Sequence, residues 1–332
     1  MDSKELNLEM LQSYEMLGHR KVRRVFRVPE RIDEILFLTT DNVSASDVVF
    51  DLIEGKGRLI NKTSNAWKKI IGQTNVMPTD FVTDNEEEIA GIYGCGALAD
   101  ELKGRLLVAK KALVIPLECI VRDKFGGSLF KMYAKAGGQS GYYLGQWYPE
   151  GMTKNKQLLV PAYTPSTKAE TGHDINIDYE KTIPILEKFI RDNDILGWSA
   201  ENLAQSIRAH ALSVFMSGRN LLASRKLELH DSKFEFGLIP VNDFKTHGLS
   251  GQIVSHRLCL VDEVLTGDSS RIFEPMDEKH YDKQFLRDFL EGQNWDGQSR
   301  FPLPTTVKKE FISRYGHIFD IAEHINNYAL NF

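Results

Sequence analysis

The stretch "HDSKFEFG", residues 230 to 237, constrains the fold more than any other in this chain. Successive side chains of a strand point to opposite faces, so Asp231, Lys233 and Glu235 share one side while Phe234 and Phe236 take the other. The phenylalanine side asks for a packed layer beneath it. The charged side reads in two ways: a solvated edge that discourages aggregation, or part of a site for a metal and a phosphate. A second strand, "IVSHRLCLVDEVL" from Ile253, is expected to pair with the first as an antiparallel hairpin. It ends in Asp262 and Glu263 and runs into "LTGDSSR", which adds Asp268, Ser269, Ser270 and Arg271. Burying even one ion costs several kcal/mol, so this much acid in a dry core would be costly. Hard oxygens on rigid strands suit Mg²⁺, which takes one or two carboxylates and completes its shell with substrate phosphates. The small polar "GDSSR" turn tips the reading toward a site.

What surrounds the hairpin is an ordinary globular chain. A length of 332 residues suggests about two lobes. A formal net charge of -5 argues against a general nucleic-acid binder, which needs clustered Lys and Arg. Cys95, Cys119 and Cys259 form no CxxC pair, so neither a thiolate zinc site nor a disulfide framework is expected. The start "MDSKELNLEM" is acidic where a signal peptide is basic, and no apolar run approaches the ~20 residues that span a bilayer. A cytoplasmic protein is the expectation.

Along the chain, short apolar runs come first. "RRVFRVPERIDEILFLTTD" reads as strands at Val22–Val28 and Ile35–Leu38 joined by a turn at Pro29, and another strand starts at Leu106. Residues 134–161, rich in Gly, Tyr and Lys, read as a long surface loop or small insertion, either a flexible linker or a functional lid. The period then turns helical. Ser199 is a candidate N-cap, followed by Leu203, Ile207, Ala211, Val214 and Leu221 or Leu222. His210 on that helix lacks a metal-type residue at i+4 and reads as an ordinary half-buried histidine. "HYDKQFLRDFL" and "VKKEFISRYGHIFDIAEHINNYAL" are amphipathic helices expected to pack on the second lobe. The expected class is α+β, with a β-rich lobe over residues 1–115 and a larger α+β lobe over 116–332.

Three other stretches carry candidate chemistry. In "IPLECIVRDKFGGSLFKMY", Arg122 precedes Gly126, Gly127 and Ser128; glycines admit backbone N–H groups to an anion and Arg adds a bidentate fork. Gly-Gly-Ser is also a common turn. "TPSTKAETGHD" places Lys168, His173 and Asp174 in one loop. "GHRKVRRVF" gathers Arg20, Lys21, Arg23 and Arg24, which suits a loop over polyphosphate and equally a solvated edge strand.

In this collinear order the stretches resemble the SAICAR synthetase family. The likeness runs through "RKVRRVF", "TTDNVSASDVV", "IEGKGRLINKTSNAW", "YTPSTKAETGHDINI", "DSKFEFG", "LVDEVLTGDSSRIF" and "YDKQFLRDFL", residues 18 to about 290, and looks closer to the longer, fungal-type members. The resemblance implies a two-lobed fold with an ATP cleft between the lobes. It also implies an ATP- and Mg²⁺-dependent ligase that joins the carboxylate of carboxyaminoimidazole ribotide (CAIR) to L-aspartate through an acyl phosphate. Carried onto this chain, it implies Asp231, Lys233 and Asp268 in catalysis and Glu235 and Asp262 on Mg²⁺. It implies Lys21, Arg23, Lys111, Glu118 and Lys168 around ATP. Asp41, Ser44, Arg122, Ser128, Asp174, Ser270 and Arg271 would line the substrates. The chain departs from the family pattern at Arg20 for Gly, Arg24 for Asp, Asn42 for Arg, Ser46 for an aromatic residue, Ser232 for Thr and Gly267 for Pro. Two other readings compete: an inositol-phosphate-like kinase, which also uses an Asp-x-Lys strand, and a degenerate homologue that binds without turnover.

Overall fold

The charged strand lies in the middle of a sheet. In the computed structural model, which describes residues 5–19, 22–45, 48–168, 174–241 and 253–329, Glu228–Pro240 form a single strand, β16. β11 (Leu117–Lys124) and β10 (Leu113–Val114) run along one side of it, and β17 (His256–Val261) and β18 (Ser270–Glu274) share the other, all antiparallel. β14 (Gln157–Tyr163) and β15 (Ser166–Thr167) border β11, and β19 (Lys279–His280) closes the far edge. The expected hairpin is present, with Glu235 opposite Val261 and Pro240 opposite His256. β16 alternates as its sequence requires: Phe234 and Phe236 are fully buried in the main core.

A second sheet, in the order β2-β3-β4-β9-β7, is built from β2 (Met16–His19), β3 (Arg23–Arg27), β4 (Glu34–Thr39), β7 (Phe81–Thr83) and β9 (Leu106–Lys110). The strands expected around Pro29 and from Leu106 are β3, β4 and β9. Short pairs complete the β structure: β1 (Glu5–Leu6) with β8 (Ala97–Leu98), β5 (Asn42–Ala45) with β6 (Val48–Leu52), and β12 (Gly141–Tyr143) with β13 (Gln146–Tyr148). Residues 78–80 stitch the two large sheets together. Leu260 N donates to Pro78 O at 2.9 Å, Asp80 N to Leu260 O at 3.1 Å, and Lys110 N to Asp80 O at 2.8 Å.

Helices α5 (Thr182–Asp192) and α6 (Ala200–Ala223) cover the phenylalanine side of β16. Ser199 caps α6 as expected, accepting from Asn202 N at 3.1 Å, and Leu203, Ile207, Ala211, Val214 and Leu222 are buried. α1 (Leu8–Gln12) and α3 (Glu86–Ile92) line a separate core behind β4 and β9. α7 (Gln284–Gly292) packs with β5 and α8 (Thr305–Ala329) in a third.

Two stretches differ from the sequence expectation. Residues 56–73, read among strands and turns, form the long helix α2 (Lys56–Gln73). Its interior is unusually polar: Asn61, Thr63, Ser64, Asn65 and Lys68 are buried alongside Trp67 and Ile70, which hides the apolar period. Each of several polar groups has a dedicated partner, such as Asn61 Nδ2 on the carbonyls of Gly104 and Leu106 at 3.1 and 3.0 Å. Residues 134–161, read as a long surface loop or small insertion, are not a loop but carry the end of α4 (Gly127–Lys135), the β12–β13 hairpin and most of β14. Tyrosines supply the packing there: Tyr133 and Tyr148 join Phe125 and Leu129 in a small aromatic core. α8 is helical as expected but packs on α2 as well as on the main core, through Phe311 and Tyr315 on one side and Ile318, Ala322 and Ile325 on the other.

Candidate active site

Two arginines from neighbours of β16 meet over one carboxylate. Arg122 on β11 stands opposite Asp231, and Arg271 on β18 stands opposite it from the other side. Both guanidinium groups donate to Asp231 Oδ2, Arg122 Nη1 at 2.9 Å and Arg271 Nη1 at 2.6 Å. Arg122 is buried and fully oriented: its Nε reaches Thr164 Oγ1 at 2.9 Å and its Nη2 reaches Ser128 Oγ at 3.0 Å, which donates on to Asn176 Oδ1 at 2.9 Å. Burial pushes the Arg122 guanidinium below its ordinary pKa against the pull of Asp231, and Arg271 adds to the push. Two cations sharing one anion leave positive charge in excess. Over them lies the start of α4, whose first residue, Gly127, adopts φ +60°. A Cβ there would stand 2.7 Å from Arg122 Nη1 and 2.8 Å from Arg271 Nη1, so only glycine lets the backbone lie on the pair. Uncommitted N–H groups at a helix start and two forked cations form a cradle for an anion.

Further along the same face, acid and base alternate. Lys233 Nζ pairs with Glu118 Oε1, and stands 3.5 Å from Glu235 Oε1; Glu235 Oε2 takes Lys168 Nζ. Burial works against the Lys233 charge, but Glu235 and Glu118 outweigh it and hold its pKa well above the ordinary value. Burial raises Glu118 against Lys233, and the charges of Asp174 and Glu235 raise it further, so Asp174 lies within electrostatic reach.

Beyond this row Arg23 of β3 donates from Nη1 to Asp262 Oδ1 at 2.5 Å and lies 4.0 Å from Glu263. Asp262 is held at φ +59° just past the end of β17. Burial opposes its ionisation, yet Arg23, Lys233, Lys168 and Lys68 hold it far below the usual carboxylate range. Lys68 and Asp80 form a buried pair at 2.6 Å beside it. Glu235 and Asp262 therefore offer hard oxygens from adjoining strands, Glu235 facing the residue before Asp262. Both already have cation partners, and among the described residues no cluster of three or more His, Cys, Asp or Glu is arranged to hold a metal alone. Such a donor set fits a hard cation that arrives with phosphate oxygens.

Arg23, Glu118, Arg122, Ser128, Lys168, Asp174, Asp231, Lys233, Glu235, Asp262 and Arg271 thus line a continuous charged face. Lys21 and His173 fall outside the described residues. Ser270 stands on the other face of the sheet, because its register partner is Ser232; the two hydroxyls bond at 2.9 Å. Asp268 is turned into a buried cluster, bonded to Lys56, Lys283 and Tyr315. Asp41 caps α2 by accepting from Gly57 N at 2.7 Å and faces a cavity of about 470 Å³ shared with Arg24, Arg105 and Lys308. Ser44 lies nearby on β5, and among the described residues no hydrogen bond or ion pair joins Asp41 or Ser44 to the charged row. Lys111 is exposed and forms no ion pair among the described residues; Lys110 pairs instead with Asp33 and Glu34 at 3.1 and 2.8 Å. Lys68, Asp80, Thr164 and Asn176 were not legible as site residues, since each gains its meaning from a partner distant in sequence.

A pair of guanidiniums roofed by a glycine, beside a lysine–carboxylate row, is a charged face suited to anionic small molecules. The SAICAR synthetase family model matches residues 16–302. The chain belongs to that family. A phosphoribosylaminoimidazole-succinocarboxamide synthase of Desulforapulum autotrophicum is 33% identical, the match covering 91% of this chain and 92% of the relative. SAICAR synthase from Saccharomyces cerevisiae, solved in complex with SAICAR, superposes with a TM-score of 0.72 at 26% identity over 97% of this chain and 98% of that one. A SAICAR synthetase solved in complex with ADP shares the fold, with a TM-score of 0.59 at 19% identity over 93% of this chain and 97% of that one. The activity is that of an ATP-dependent ligase of purine biosynthesis, and the kinase reading is not favoured. No helix of the described residues is long and apolar enough to cross a membrane.

Proposed function

We propose that the charged face of β16 is where this ligase joins CAIR to L-aspartate. The observation that carries the assignment is the convergence of Arg122 and Arg271 on Asp231 beneath Gly127. The ribotide phosphate would bind there, displacing neither arginine from Asp231 but filling the excess positive charge and the free N–H groups of α4. The carboxylate of CAIR then lies toward Lys233. Lys168, Lys233 and Arg23 face the phosphates of ATP, with Lys21 and Lys111 assigned to the same phosphates by the family resemblance and Glu118 and Asp174 near the nucleotide. A fold neighbour solved in complex with ADP supports a nucleotide as a ligand of this fold. Glu235 and Asp262 would hold Mg²⁺, which supplies neutralisation of phosphate charge when bound.

The chemistry follows from positions. A carboxylate is a poor acyl donor, so a CAIR carboxylate oxygen attacks the γ-phosphorus and ADP leaves. The aspartate amine, having lost a proton, attacks the acyl carbon of the resulting acyl phosphate, and inorganic phosphate departs. Lys233, held protonated between Glu118 and Glu235, stabilises negative charge on the transferring group without giving up its proton. Residues 1–115 would cover the nucleotide and 116–332 carry the metal and ribotide groups, in a cytoplasmic monomer. The test is ADP release by purified protein. Release that needs both CAIR and aspartate supports the reading, and ADP release indifferent to aspartate refutes it. Binding of ATP and ribotide with no turnover would identify a degenerate homologue instead.

A further inference from the structure

The family match ends at residue 302, yet the helix beyond it touches the turn that leads into β18 and Arg271. Tyr315 of α8 is buried, stacks on Phe311 with ring centroids 4.1 Å apart, and donates its hydroxyl to Asp268 Oδ1 at 2.7 Å. Asp268 Oδ2 accepts from Lys56 Nζ at 2.9 Å and lies 3.0 Å from Lys283 Nζ. One carboxylate thus ties α2, α8 and the segment before α7 to the turn at residues 266–269. That turn is closed internally, Thr266 N donating to Ser269 Oγ at 3.1 Å. Its outward contacts lead straight to the anion cradle: Ser269 O accepts from Lys233 N at 2.8 Å, and two residues later Arg271 reaches Asp231 at 2.6 Å. Gly267 lies flat on the tyrosine. A Cβ there would stand 2.7 to 3.0 Å from three atoms of the Tyr315 ring.

We propose that Tyr315 is a positioning residue for the reaction. Through Asp268 and Gly267 it sets the turn that holds Arg271, so a helix outside the family-matched segment tunes affinity for the phosphorylated substrate. The proposal rests on the assignment of Arg122 and Arg271 to the ribotide phosphate. A purely stabilising tyrosine would lower the melting temperature without separating the Michaelis constants.

Four single variants and one double variant test it in the full chain. In an ADP-release assay at saturating ATP and aspartate, Tyr315→Phe removes only the hydroxyl on Asp268 and raises KM for CAIR about five- to tenfold, a part of the roughly 10- to 150-fold that a lost hydrogen bond to a charged group costs, because the effect reaches the substrate through Arg271. The KM for ATP and kcat stay within about twofold. Arg271→Lys, measured alongside, raises KM for CAIR more strongly because the fork is lost. If Arg271→Lys raises it and Tyr315→Phe does not, the positioning role is refuted while the phosphate assignment stands. If Arg271→Lys leaves it unchanged, both fall. The ring contact has its own cycle: Gly267→Ala also raises KM for CAIR, and the double variant with Tyr315→Ala is no worse than Tyr315→Ala alone. Effects that multiply in the double variant would refute the contact.

Discussion

Replacing Gly127 by alanine adds one methyl group at the point where the anion cradle is tightest. Two costs follow from its position. The first is local: a non-glycine residue at φ +60° is disfavoured by roughly 1–2 kcal/mol. The second falls on the site. The new Cβ would stand 2.7 Å from Arg122 Nη1 and 2.8 Å from Arg271 Nη1, well inside contact distance, so at least one guanidinium must retreat. Arg122 is held by Thr164, Asp231 and Ser128 together, so its retreat breaks a bond it cannot remake. Arg271 is half-exposed and freer to swing, but its swing abandons Asp231. A lost hydrogen bond to a charged group costs about 1.5–3 kcal/mol, or roughly 10- to 150-fold in affinity. Calorimetry with CAIR should therefore show weakening in that range for Gly127→Ala, with ATP binding close to that of the parent. Gly126→Ala is the control, since its Cβ would meet Asn155 Oδ1 at 3.1 Å and Arg271 only at 3.9 Å. Parental CAIR affinity in a folded Gly127→Ala protein would show that the two guanidiniums do not converge there on the ribotide.

Other perturbations separate chemistry from stability. Glu235→Gln should leave the melting temperature near that of the parent while abolishing Mg²⁺-dependent ADP release; undiminished turnover would sink the metal assignment. Lys68→Met strands the buried Asp80 carboxylate and should cost about 3–5 kcal/mol in urea denaturation; a loss under about 1 kcal/mol would mean that Arg23 suffices as its partner. Phe234→Ala empties a fully buried position under the charged row and should cost about 3–5 kcal/mol by the same measurement. Asp262 has a depressed folded-state pKa, so its contribution is complete above its ordinary pKa of about 3.9 and is lost as pH falls through the folded value. The parent's stability advantage over Asp262→Asn should accordingly shrink on acidification below about pH 4, and an advantage that grew there would reverse the sign of the argument.

How much of this was legible depended on whether a residue's role was set by near neighbours in the chain. The β16 alternation, the Ser199 cap and the helical period of α6 are local, and each stands in the structure as its sequence implies. α2 failed the same reading because its buried positions include Lys68, Asn61 and Ser64, whose partners are Asp80, two carbonyls near residue 105 and the amide of Val264. A periodicity rule sees those residues as polar and cannot see that tertiary contacts satisfy them. At 134–161 the loop alternative failed and the small insertion did not: glycines suggested a loop, while the aromatic core that folds the stretch is visible only when Tyr133 and Tyr148 stand together.

The site shows the same division, sharpened by strand geometry. Alternation along one strand correctly grouped Asp231, Lys233 and Glu235, but it says nothing about which residues of the neighbouring strands join them. That is decided by register, and register sorts Ser270 from Arg271: adjacent in sequence, one bonds Ser232 on the core side and the other Asp231 on the charged side. A shift of a single residue would have exchanged them. The same logic accounts for Asp268, which belongs to the motif by sequence yet sits in the turn, where no strand face dictates its direction and two lysines and a tyrosine pull it inward. Charged residues in a motif are therefore assigned to chemistry most safely where a paired strand fixes their side. At turns the claim has to wait for the partners, and here those partners include a helix that lies outside the family's matched segment.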